Sequence, residues 1–110
     1  MELFINIFGQ IGEISLNGRL DASSSHAVLE ALNDKALSGI CNIIMDFTQL
    51  NYISSSGLRV LLMTTKELKA RNGRLVIFGM NSHVREVFDL AGFLSYFQIV
   101  ATRKEALTNI

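Results

Sequence analysis

The feature that most constrains the fold is Ile40-Cys41-Asn42-Ile43-Ile44-Met45-Asp46-Phe47, a near-continuous apolar run closing on an acidic residue. Eight residues are too few for a membrane span and too uniformly apolar for a half-exposed antiparallel strand. Such a run predicts a strand covered on both faces, as in a parallel sheet. A parallel neighbour requires a crossover, so helices are expected before and after it.

The flanking segments supply them. Val28, Ala31, Leu32 and Lys35-Ala36 follow the i, i+3, i+4 spacing of a helix with one buried face, with Asp21 or Ser23 expected as its cap and Gly39 as its end. After Phe47, Thr48-Gln49-Leu50-Asn51 is expected to be a loop. A second helix is predicted from Ser55 to about Arg71, stopped by Asn72-Gly73. Its core face is Leu58, Leu61, Leu62, Thr65 and Leu68; Ser56, Val60, Met63 and Glu67 fall opposite, so Val60 and Met63 are expected on the surface.

Upstream, Leu3–Phe8 and Glu13–Asn17 read as a hairpin around Gly9-Gln10-Ile11-Gly12. Downstream, Arg74–Gly79 reads as a strand. Val84, Val87, Phe88 and Ala91 mark a helix capped by Asn81 or Ser82 and closed by Gly92. Tyr96–Val100 is expected to be a last strand, and Thr102–Glu105 has capping-box spacing before a short terminal helix. The expectation is one α/β domain over residues 1–110, a hairpin followed by β-α repeats on a mostly parallel sheet.

Formal net charge is zero and the charges are mixed, which argues against nucleic acid or an anionic membrane as main partner. The single cysteine, Cys41, sits in the apolar run and is expected as a small core residue of a cytoplasmic protein. His26, His83 and Cys41 are scattered, so neither a metal nor another cofactor is expected. A serine hydrolase would need a nucleophile such as Ser55 with His26 or His83, yet Ser54-Ser55-Ser56-Gly57 lacks the glycine two places before the serine that a nucleophile elbow uses.

What remains is the junction Asn51-Tyr52-Ile53-Ser54-Ser55-Ser56-Gly57-Leu58. A serine at a helix start is an ordinary cap, and it is also a place where a phosphate is well received, through the dipole and the unpaired amides of the first turn. A phosphoserine there brings nearly two negative charges. The fold tolerates them while a docked partner does not, so the junction has the makings of a binding switch.

These residues resemble the STAS domains of bacterial anti-sigma factor antagonists. The resemblance runs through Gly18-Arg19-Leu20-Asp21-Ala22, Ile44-Met45-Asp46-Phe47, Leu50–Leu58, Gly73-Arg74-Leu75-Val76-Ile77, Val84-Arg85-Glu86-Val87-Phe88 with Gly92-Phe93, and Glu105-Ala106-Leu107. It implies a non-enzymatic domain with a curved sheet that binds an anti-sigma factor which is also a serine kinase. It further implies phosphorylation that breaks the complex and a metal-dependent serine phosphatase that restores it.

The family motif Asp-Ser-Ser-Gly-Leu, laid on this chain, makes Ser55 the acceptor, with Ser54 and Ser56 behind it. Ser54 stands where the motif has Asp. Partner contacts are expected from Asp21, Ser54, Ser55, Ser56, Gly57, Val60 and Met63, with Asp21 equally readable as a helix cap and Gly57 as a close-packing residue. The alternative implied by Ser54 is an unphosphorylated STAS adaptor in a larger regulatory or transport complex.

Overall fold

A computed structural model describes residues 1–110. Its element order is β1 (Glu2–Phe8), β2 (Ile11–Leu20), α1 (Ser25–Leu32), β3 (Asn42–Ile53), α2 (Ser55–Ala70), β4 (Arg74–Phe78), α3 (Ser82–Leu90), β5 (Gln98–Val100) and α4 (Arg103–Asn109). The strands lie in one sheet in their sequence order, β1-β2-β3-β4-β5. β1 and β2 are antiparallel; every later pair is parallel.

Three crossovers step across the sheet in one direction. Crossovers of one hand that never reverse land on one face. Accordingly α1, α2 and α3 share a single core with Ile14, Leu16, Ile43, Met45, Phe47 and Ile77, while Ile44, Val76 and Phe78 point the other way. Only α4 covers that far face, placing Ala106 on those three residues and Leu107 and Ile110 beside them. Arg103, at the start of α4, reaches across to the buried Glu13 carboxylate with hydrogen bonds of 2.9 to 3.2 Å. The Glu13 hydrogen bonds hold the guanidinium above its ordinary value, opposed by some loss of solvent.

The hairpin, the two-sided burial of Ile43 to Met45, the α2 stop with Asn72 at φ 60°, the Asn81 cap on Val84 N–H and the Thr102–Glu105 box all form as expected. Other boundaries differ. Thr48–Asn51 is strand, not loop. β3 carries two irregularities against β2, after Asp46 and after Leu50, which let it bend away from β4 and continue along β2 to Ile53. Asp46 pins the first of these by accepting from Thr48 N–H and hydroxyl at 2.8 and 2.7 Å.

β2 likewise runs on to Leu20. α1 stops at Leu32, four residues early, because Asp34 caps a separate 3-10 turn at Lys35–Leu37 through Ala36 N–H. Leu94–Tyr96 is a 3-10 turn that shortens the last strand to Gln98–Val100. Cys41 is half-buried just ahead of β3 and not in the core.

Candidate functional site

The serines stand where β3 hands over to α2. Ser54, not Ser55, occupies the cap position: its backbone is extended, and its hydroxyl accepts from Gly57 N–H at 3.2 Å. The four leading amides can be accounted for one by one. Gly57 N–H goes to the Ser54 hydroxyl and Leu58 N–H to the Ser54 carbonyl, at 3.0 Å. Ser55 and Ser56 N–H have no carbonyl partner. Ser55 is exposed and Ser56 half-buried. Neither hydroxyl is engaged by the chain, the Ser54 side chain having taken the capping role.

A backbone contact ties this helix start to the end of β2. Ser54 N–H donates to the Leu20 carbonyl at 2.9 Å. A Cβ at Gly57 would lie 2.7 Å from that same oxygen and 2.9 Å from Leu20 Cγ and Ile53 Cγ1. Glycine is needed here for close approach. The approach brings the loop after β2, with Asp21, to the serines.

Asp21 does not cap α1. Ser24 holds the cap position without a side-chain bond to a helix amide, and the Asp21 carboxylate accepts from Ser23 N–H at 3.1 Å and from the Ser23 hydroxyl at 2.7 Å. The Ser23 hydroxyl is the main reason its pKa lies below the usual carboxylate value; partial desolvation opposes, and Ser23 N–H, Ser24 and Arg19 add to the lowering. Arg19 lies 3.7 Å from Asp21 and 4.0 Å above the Tyr52 ring. Sequence reasoning missed Arg19 and Tyr52, which the β2·β3 pairing places face to face.

A groove of about 280 Å³ runs from Ser56 between α1 and α2, with Ala22, His26 and Leu29 on one wall and Arg59 and Met63 on the other. Met63 is 47% exposed, as expected. Val60 is 7% exposed and belongs to the core, against expectation. α2 packs against α1 as well as the sheet, so its second apolar stripe is covered too. Val60 is the floor of the groove, and Met63 is its accessible apolar residue. A larger cleft of about 400 Å³, among Thr65, Lys69, Arg74, Tyr96 and Gln98 at the other end of α2, contains none of the expected site residues.

The arrangement offers one exposed serine, Ser55, between two half-buried ones, with free amides and a shallow half-apolar groove. No group of three or more His, Cys, Asp or Glu side chains is placed to hold a metal ion. No helix is long and apolar enough to cross a membrane.

Comparison with known proteins agrees in scale with this geometry. The model of the STAS domain matches residues 5–106. A Bordetella bronchiseptica protein named as a candidate anti-sigma factor antagonist, BtrV, is 36% identical over 91 residues, 83% of this chain and 78% of that protein. The crystal structure of a candidate anti-sigma factor antagonist from Thermotoga maritima superimposes with a TM-score of 0.89 at 18% identity, covering 98% of this chain and 93% of that one. The Bacillus cell fate determinant SpoIIAA in its phosphorylated form superimposes with a TM-score of 0.73 at 24% identity, covering 98% of both chains. At these identities the two structures speak to the fold.

Proposed function

The chain belongs to the STAS domain family, and we propose that it acts there as an anti-sigma factor antagonist switched by phosphate on Ser55. In this reading it docks in the cytoplasm, through the start of α2 and the adjoining groove, on an anti-sigma factor that is also a serine kinase, and so releases a sigma factor. The kinase modifies Ser55, and a metal-dependent serine phosphatase reverses the change. The chain itself catalyses nothing.

The observation that carries the reading is the division of labour among the serines. Ser54 takes the cap bond, so Ser55 stands first in the helix, exposed, with two free amides beside it. A phosphate on Ser55 adds about −1.5 to −2 charges to a neutral chain. Within the fold it meets the helix dipole, typically worth about 0.3–1 kcal/mol, and Arg59 lies one turn further on.

Against a partner resting on Met63 and the groove, the same charge has to be desolvated, and an unpaired buried charge costs about 3–5 kcal/mol. At ~4 kcal/mol the dissociation constant rises about a thousandfold. Binding is lost while the fold stays.

The test is incubation with the cognate kinase and ATP, followed by site-mapped mass spectrometry of the chain and of its Ser55→Ala variant. Phosphate on Ser55, absent from the variant, is the expected result. A chain free of phosphate at Ser54, Ser55 and Ser56 refutes the switch and leaves the adaptor reading.

A further inference from the structure

β1 is the open edge of the sheet and bonds only to β2. Gly9 and Gln10 alone join the two strands, and the last pair is Phe8 with Ile11. A two-residue connection makes this pair exchange both of its backbone hydrogen bonds, since the alternating pattern leaves no room for a closer bonded pair within the turn. The register then runs without a shift to Glu2 and Asn17. Phe8, Asn6, Phe4 and Glu2 therefore spend their amides and carbonyls on β2, and Leu3, Ile5 and Ile7 turn theirs outward.

The Ile7 amide agrees. It donates to the Asn6 side-chain Oδ1 at 3.0 Å, which it could not do while bonded to β2. β1 carries no proline, lysine or bulge, the usual guards of a free edge, and Phe4, Ile7 and Phe8 are exposed along it.

We infer that β1 pairs with β1 of a second copy of this chain, antiparallel about a two-fold axis at Ile5. In this register Ile5 faces its own counterpart and Leu3 faces Ile7, so every outward amide and carbonyl of these residues finds a partner. Sliding by two residues either way leaves Leu3 or Ile7 unpaired. The Ile7 amide exchanges the Asn6 side chain for a carbonyl of the other copy.

Charge selects the same register. Glu2, the only charged residue of β1, comes to lie opposite Phe8 of the other copy, in the type of pair where side chains approach most closely. Arg103 sits over that ring, its Cζ 4.7 Å from the centroid, and binds Glu13 through Nε and Nη2, leaving Nη1 free for the arriving carboxylate. The axis passes between the two Ile5 residues, level with Ile14 of β2 and well before Leu20 and the serines, so both switch sites of the dimer stay open.

Sedimentation equilibrium of the full chain tests this, with Ile7→Pro removing one outward amide and Glu2→Arg setting like charge against Arg103. The expected result is a concentration-dependent rise from 12.2 kDa to twice that mass. Each variant should weaken the dimer by about tenfold or more while its circular dichroism is unchanged. Should Ile7→Pro not fold, Glu2→Arg, at an exposed position, carries the test alone. A chain that stays at monomer mass, or a dimer of equal affinity in the folded variants, overturns the proposal.

Discussion

Gly57→Ala places a methyl group at the point where α2 meets β2, and the outcome follows from three distances. The new Cβ lies 2.7 Å from the Leu20 carbonyl oxygen and 2.9 Å from both Leu20 Cγ and Ile53 Cγ1, all closer than real Cβ contacts run. In its favour are about 0.8 kcal/mol for the buried methyl and up to about 1 kcal/mol of helix preference over glycine. Against it, overpacking of a filled site costs typically 1–3 kcal/mol.

The carbonyl that must retreat is the one holding Ser54 N–H at 2.9 Å, and stretching that bond forfeits about 1 kcal/mol more. Leu20 is fully buried and Ile53 nearly so, leaving neither side chain an easy escape. We expect a net loss of about 1–2 kcal/mol, a fall in Tm of roughly 4–12 °C for a domain of this size. Urea and thermal unfolding of the two chains read it directly. A variant as stable as the parent, or more so, refutes the claim that close approach is what requires glycine at the helix start.

Ser54→Ala removes the cap bond to Gly57 and should cost about 0.5–2 kcal/mol by urea unfolding, whereas Ser54→Asp keeps an acceptor and should not. Arg103→Ala strips the Glu13 carboxylate of its partner; a lower urea midpoint is expected, moderated by the exposure of the arginine, and an unchanged midpoint would show the pair to be stability-neutral. Asp21 is more acidic in the folded chain than its ordinary value of 3.8, so its contribution is present above that pH and is lost as pH falls through the folded value. The stability gap between the parent and Asp21→Asn should therefore shrink between pH 6 and pH 3, and a constant gap would contradict the carboxylate's role.

Local signals in the sequence proved reliable where the structure is decided locally. Asn72 in the left-handed region, Asn81 on Val84 N–H and Thr102 on Glu105 N–H are contacts within a few residues, and each was readable from residue type and spacing. The misreadings lie where a distant segment decides. Thr48–Asn51 is polar enough for a loop, yet Gln49–Ile53 is drawn into the sheet by pairing with Asn17–Leu20, some thirty residues earlier, across irregularities that break the alternation of side chains.

One covered face per helix would leave Val60 on the surface; α1 covers a second. The three serines stand at the start of α2, where residue type and spacing put a helix start. Which of them caps was settled by the turn out of β3, where the extended backbone of Ser54 follows directly on Ile53. Arg19 and Tyr52 met only through strand register, a relation that spacing along the chain does not encode.

The order of the sheet has one further consequence. Open α/β sheets hold small molecules in the crevice at the strand ends where successive crossovers part to opposite sides. In this chain the order from β1 to β5 never reverses, and α1, α2 and α3 remain together, so the crossovers do not part. The strand ends are closed by packed helix starts, and what they present is relief: a ridge of serines beside a shallow channel. A topology of this kind lends itself to being read by another macromolecule's surface.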